Sequence, residues 1–227
     1  MFHAPNRPSD AEDPLWEVAS LQTSPEPGTT HSVLQLRRRA FHILVAAALP
    51  VASLFLPRWV VLALAGAELA SAATLETARL LFPGLNRWLL GRAGFLIKER
   101  ERRRVTAATW LALATLLAFL VFPEPVAAVA LLIVAFGDPA ASVVGRRWGR
   151  LRFGAKSVEG TAAFFAAALA IAVACWAGGL YAPLWAGVLA AAVAAVVEAL
   201  SGEVLLLEDN LTVPLLAGAV LSLTTAA

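Results

Sequence analysis

The sequence predicts an all-α fold, a polytopic integral membrane helix bundle of about seven transmembrane helices with a cytoplasmic N-terminus. Three observations lead there. Of 227 residues, 59% are hydrophobic and only 15% charged, with a mean hydropathy of +0.74; soluble domains run about 45–50% apolar and about 25% charged. Apolar segments approaching the roughly 20-residue length of a membrane span recur along the chain. The cations, finally, are sorted between alternate connections.

Residues 1–30 carry five acidic residues against one Arg, five prolines and no periodicity, the composition of a disordered acidic, Pro-rich tail. They lack an early basic region followed by an apolar core, so no signal peptide is expected. Residues 31–227 then read as one transmembrane domain. Its spans fall at about 41–57, 59–82, 105–122, 125–137, 161–178, 183–200 and 211–226, the fourth being short and open to continuation past Asp138. Pro50, Gly66 and Gly187 lie inside spans, where membrane helices tolerate them. The alanine-rich faces of 161–174 and 186–199 suit close helix packing. Cys175 sits in an apolar run as a small buried hydrophobe.

Fifteen of the 18 Lys and Arg residues lie in three connections: Arg37–Arg39 before the first span, Arg87 to Arg104 between the second and third, and Arg146 to Lys156 between the fourth and fifth. The opposite connections hold only Arg58. The positive-inside rule therefore puts the N-terminus in the cytoplasm. Every connection rich in polar chemistry then faces the nucleotide pool. No long basic arm with aromatics suggests nucleic acid.

The polar motifs cluster on that side. Gly137-Asp138-Pro139 ends the fourth apolar run, and Ala141, Gly145 and Gly149 follow Asp138 on one helical stripe. A carboxylate beside small residues suits a phosphate-bound Mg²⁺, which takes one or two carboxylates and keeps waters. Equally, Asp138-Pro139 suits an N-cap and first helical position, with the glycines serving helix packing. Lys156-Ser157-Val158-Glu159-Gly160 offers a cation, a hydroxyl and a carboxylate. It is no P-loop, since Ala155 separates Gly154 from Lys156 and the preceding element is read as a membrane helix rather than a strand. Glu159 is placed to hold metal or orient Lys156; the alternative is a snorkelling Lys and a helix start capped by Ser157. Arg38 and Arg39 with His42, at i, i+4 from Arg38, read as a phosphate clamp or a positive-inside anchor. Glu76 and Arg79, at i, i+3, can pair with each other, and Glu68 lies deeper in the second span. Glu198 ends the sixth span. Asp209 and Asn210 open the seventh, where acids can complete a metal site, act as general base or cap the helix.

Taken together, Arg38-Arg39-x-x-His42, Glu76-x-x-Arg79, Gly137-Asp138-x-x-Ala141-x-x-x-Gly145-x-x-x-Gly149, Lys156-Ser157-x-Glu159-Gly160, and Glu198 with Asp209-Asn210-Leu211-Thr212-Val213-Pro214 resemble the CTP-dependent lipid-alcohol kinases: phytol kinase, dolichol kinase and the CTP-using diacylglycerol kinase. The resemblance spans roughly residues 35–226, and its last string looks closest to the phytol kinase branch. It implies CTP as phosphate donor, a divalent metal such as Mg²⁺, and a long-chain, prenol-type alcohol drawn from the bilayer. Carried over to this sequence, it implies Asp138, Lys156, Glu159, Asp209 and His42 as catalytic residues and Asp138, Asp209 and Glu198 as metal ligands. Arg38, Arg39, Gly137, Gly145, Arg146, Gly149, Ser157, Gly160 and Asn210 would bind nucleotide. Gln35 and Arg39 depart from the acidic residue and Lys often found at those positions. The related phosphatidate cytidylyltransferases share a Gly-Asp…Lys…Glu-Gly core, but their His-Gly-Gly…Asp-Arg…Asp string is absent here, which favours a kinase. A transporter would show repeat symmetry and polar groups near the midplane; here the ionisable residues cluster at one face. The alanine-rich composition suggests a bacterial inner membrane.

Overall fold

The computed structural model describes residues 29–93, 105–201 and 208–225, with side chains from residue 39 onward apart from 90 and 93. Two units divide the chain, Met1–Leu36 and Arg37–Ala227; the fold below is that of the second. The expected tail over 1–30 lies outside the described residues, except that its last two positions open the first helix. The helices are α1 (Thr29–Ser53), α2 (Arg58–Leu81), α3 (Pro83–Ala93), α4 (Ala107–Val121), α5 (Glu124–Trp148), α6 (Val158–Ala177), α7 (Leu184–Leu200) and α8 (Asp209–Thr225). A small antiparallel hairpin, β1 (Arg152–Phe153) with β2 (Lys156–Ser157), joins α5 to α6.

Each of the seven apolar segments falls on a helix. Among the described residues, three helices are long and apolar enough to cross a bilayer: α2, α5 and α6. Arg39–Ser53 of α1, α4 and α7 are shorter apolar helices.

The core centres on α5. Its apolar window is 72% buried, against 17% for α2 and 22% for α6, and α5 packs against α4, α6, α7 and α8. The α5 sequence explains why it is a helix. Glu124 and Pro125 sit in its first turn, and Arg146 and Arg147 in its last, complementing the helix dipole at both ends. After the first turn comes the apolar run Val126–Phe136, of which residues 126–135 are all buried.

One expectation is overturned here. Asp138 is not an N-cap: α5 runs through Asp138-Pro139 without a break. Pro139 has no N–H to give the carbonyl of Ala135. Packing by neighbouring helices lets a buried helix tolerate that loss, as membrane helices commonly do. Of the two readings of the glycine stripe below Asp138, helix packing is the one observed, because the start of α6 fills that face. A Cβ on Gly145 would lie 3.0 Å from Ser157 Oγ, and one on Gly160 would lie 3.1 Å from the Ala141 carbonyl oxygen. At Gly137 a Cβ would meet the Phe164 ring at 2.7 Å. The small residues thus bring α5 and α6 close together.

Candidate functional site

The site begins with the hairpin. Phe153 and Lys156 pair across a two-residue turn, Gly154-Ala155, and Gly154 takes φ +57°, the positive value that primed hairpin turns need and glycine supplies freely. Glu159 Oε1 accepts hydrogen bonds from the Arg150 and Leu151 amides at 2.9 and 3.2 Å, tying the hairpin's entry to the first turn of α6. Ser157 is the N-cap of α6, its Oγ accepting from Gly160 N at 3.1 Å. Glu159 and Ser157 therefore build the turn that aims Lys156; the Glu159 oxygen that bonds does so to loop amides, not to Lys156.

Aimed this way, Lys156 reaches two acids far along the chain. Its Nζ forms an ion pair with Glu198 Oε1, near the end of α7, and stands 3.5 Å from Asp209 Oδ2, at the start of α8. Asp138 is close enough for its charge to act on Lys156 as well. Glu198 is only 3% exposed, and its second oxygen, Oε2, is buried without a hydrogen-bond partner. Both Asp209 oxygens are engaged: Oδ1 accepts from the Asn210 backbone and side-chain amides at 3.0 and 3.1 Å, and Oδ2 faces Lys156. Burial works against the Lys156 charge, but the carboxylates of Glu198, Asp209 and Asp138 outweigh it and raise its pKa above the ordinary 10.5.

Four expected residues, Asp138, Lys156, Glu198 and Asp209, thus converge from α5, β2, α7 and α8, with Asn210 beside them. Of the remaining expected residues, Ser157, Glu159 and the glycines serve the frame. Gly137, Gly145, Gly149 and Gly160 line the α5–α6 contact. Arg146 folds back on its own helix, Nε donating to the Ser142 carbonyl at 3.0 Å and Nη2 to Ser142 Oγ at 2.6 Å. Arg39 and His42 are half-buried on α1, and the Arg38 side chain lies outside the described residues. Among the described residues, no group of three or more His, Cys, Asp or Glu is arranged to hold a metal ion.

A second polar cluster sits between α2 and α4. Glu76 and Arg79 form a buried ion pair, as their spacing allows. Glu76 Oε2 also accepts from Thr106 N, Thr106 Oγ1 and Thr109 Oγ1 at 3.2, 2.9 and 3.1 Å. The two threonines were not anticipated. A Thr immediately before an apolar helix is a cap signal, and the signal for the hairpin, Gly154 between Phe153 and Lys156, was likewise present.

An all-helical, membrane-type bundle carrying a lysine among three acids at one end is the class of protein that fold and site define. No protein-family profile and no solved structure matches the chain. Among curated proteins, CTP-dependent diacylglycerol kinase 1 of Eremothecium gossypii is 34% identical over 77 residues, 34% of this chain and 24% of that protein. The matched stretch therefore spans about a quarter of the relative's length. That likeness supports a relation to CTP-dependent lipid kinases and gives no preference to the phytol kinase branch.

Proposed function

We propose that this chain is a membrane lipid kinase that transfers the γ-phosphate of CTP to the hydroxyl of a long-chain, prenol-type alcohol such as phytol or a polyprenol. The observation that carries the reading is the Lys156–Glu198–Asp209 cluster beside Asp138. Phosphoryl transfer asks a protein mainly for positioning and charge stabilisation. Lys156, held cationic by its carboxylate neighbours, keeps N–H donors for phosphate oxygens. The alcohol oxygen attacks the γ-phosphorus, the bond from that phosphorus to the β,γ-bridging oxygen breaks, and CDP leaves. The hydroxyl proton goes to Glu198 Oε2, the buried carboxylate oxygen with no other partner. Arg38, Arg39 and His42 are the further candidates for the nucleotide.

A divalent cation fits the donor chemistry. Mg²⁺ with a nucleotide needs only one or two protein carboxylates, so the lack of a three-ligand cluster among the described residues is no obstacle. Asp138, with no described hydrogen bond and its charge acting on the cluster, would hold the metal with Asp209. When bound, the metal would neutralise charge on the triphosphate. The reading further takes residues 31–227 as a single catalytic domain with seven spans, its N-terminus and site on the cytoplasmic side of a bacterial inner membrane.

Protein reconstituted in lipid and given γ-³²P- or α-³²P-labelled CTP with a panel of lipid alcohols and lipid phosphates tests the proposal. Label from the γ position should enter an alcohol. Label from the α position entering a lipid phosphate would identify cytidylyl transfer instead, and no transfer from either would leave a non-enzymatic membrane protein or transporter. Asp138→Asn should lower γ-transfer at least about 100-fold while membrane insertion is unchanged; full activity would remove Asp138 from the metal site.

A further inference from the structure

Beside the ionic cluster, a groove of about 390 Å³ runs between α6 and α7. Its walls include Val158 and Ala162 from α6, Ala192, Ala195 and Val196 from α7, and Phe153 from the hairpin. Apart from Thr161 the lining is apolar. Its position is specific. Phe153 is the cross-strand partner of Lys156, and Ala195 lies one helical turn before Glu198. Two lining residues thus neighbour members of the charged cluster, and the groove lies between two apolar helices, one of them long enough to span a bilayer.

We propose that this groove holds the first part of a single hydrocarbon chain, the one whose hydroxyl receives the phosphate, and so selects single-chain alcohols over two-chain diacylglycerols. The inference rests on the kinase reading above. Three observations favour this occupant. Phe153 and Ala195 of its lining neighbour Lys156 on the hairpin and Glu198 on α7, so a chain lying in it would bring its hydroxyl toward that pair. Apolar walls offer nothing to a nucleotide. The volume is at the low end for ligand pockets, about 300–1,000 Å³, and the lining extends from Val158 to Phe165, only about 10 Å of helix at 1.5 Å per residue. That is room for the proximal part of one chain, with its remainder in the lipid.

The test uses the full chain in nanodiscs, with Ala162→Phe and Val196→Phe. Both residues are exposed on the groove wall, so larger side chains there fill the groove without entering the core. Two readouts are taken: γ-phosphate transfer to phytol and to diacylglycerol, and photo-crosslinking of a long-chain alcohol carrying a diazirine near its hydroxyl. The wild type should prefer phytol, and crosslinks should map to α6 and α7. Each variant should raise the KM for phytol about tenfold, leave the KM for CTP unchanged, and lose the crosslink. Unchanged phytol KM, a preference for diacylglycerol, or crosslinks elsewhere would overturn the groove assignment while transfer itself upheld the kinase reading. Crosslinks in the groove without any phosphate transfer would overturn the kinase reading and leave the groove as an alcohol site. Absence of both would overturn both.

Discussion

Lys156 shows how a residue of ordinary type acquires a particular charge state from its surroundings. Burial alone would lower its pKa; Glu198 first, then Asp209 and Asp138, raise it above 10.5. A lysine whose folded value lies above its unfolded value contributes stability that is fully present below the unfolded value and lost as pH rises through the folded one. The stability difference between wild type and Lys156→Met, followed by thermal unfolding in detergent, should therefore be flat from pH 7 to about pH 10 and shrink above 10.5. A difference that shrinks between pH 7 and 9 would mean that these carboxylates do not hold the ammonium. Lys156, Glu198 and Asp209 were each legible in the sequence as chemistry. Their meeting was not, since the partners lie 42 and 53 positions from the lysine, and a separation of that kind is decided by packing among α5, α7 and α8 rather than by local pattern. Ser157 and Glu159 teach the converse: a Lys-Ser-x-Glu string resembling a binding loop acts first as a helix cap and a hairpin clasp.

Among the elements, α2 and α4 are joined by one carboxylate. Glu76 neutralises Arg79, which is 3% exposed, and also accepts the amide and hydroxyl of Thr106 at the start of α4. Glu76→Ala leaves a buried guanidinium without its carboxylate and should cost about 3–5 kcal/mol. Thr106→Ala removes one hydrogen bond to a charged group and should cost about 1.5 kcal/mol. In the Glu76→Ala background the Thr106 change should cost much less, because the acceptor has gone; denaturant unfolding of the four proteins measures that coupling, and additive effects would dissolve the proposed link. The α5–α6 contact is the other junction that fixes the site, since α5 carries Asp138 and α6 follows directly from Lys156. Gly137→Ala would drive a Cβ to 2.7 Å from the Phe164 ring, which is fully buried. An overpacked contact of this sort costs about 1–3 kcal/mol, and Phe164→Leu should restore much of it. Failure of that second change to rescue thermal stability would show that Gly137 is needed for some other reason. The sequence exposed the small residues of this stripe but not their neighbour: glycine serves a phosphate or a helix equally well, and only the hairpin, by turning α6 back on α5, decides between them.

At the scale of the whole molecule, the distribution of arginines carries the most information, and Arg58 is its instructive exception. It is the one cation in the connections assigned to the outer face, and it is spoken for: its guanidinium donates to the Phe119 carbonyl at 2.8 Å and the Phe122 carbonyl at 3.5 Å, at the C-terminal end of α4, where a cation complements the helix dipole. A structural role of this kind removes the sole cation that counts against the charge asymmetry. The remaining connections then sort cleanly by charge, and Lys156 belongs to the same connection as Arg146, Arg147 and Arg150, the one that the proposed topology assigns to the nucleotide side. Among the described residues, only α2, α5 and α6 are long and apolar enough to be candidate spans by themselves; for α1, α4, α7 and α8 the topology depends on packing around α5 and on the direction each helix runs. This makes the arrangement testable as a set. In a Cys175→Ala background, single cysteines at Arg147 and Arg87 should react with a membrane-impermeant maleimide only in inverted vesicles, and cysteines at Phe55 and Gly179 only in right-side-out cells. All four positions are exposed, so failure to label from either side would report burial in lipid. Labelling of Arg147 and Gly179 from the same side would mean that α6 does not cross. Because α6 begins two residues after Lys156, the seven-span reading would then lose its fifth span at the site's own helix.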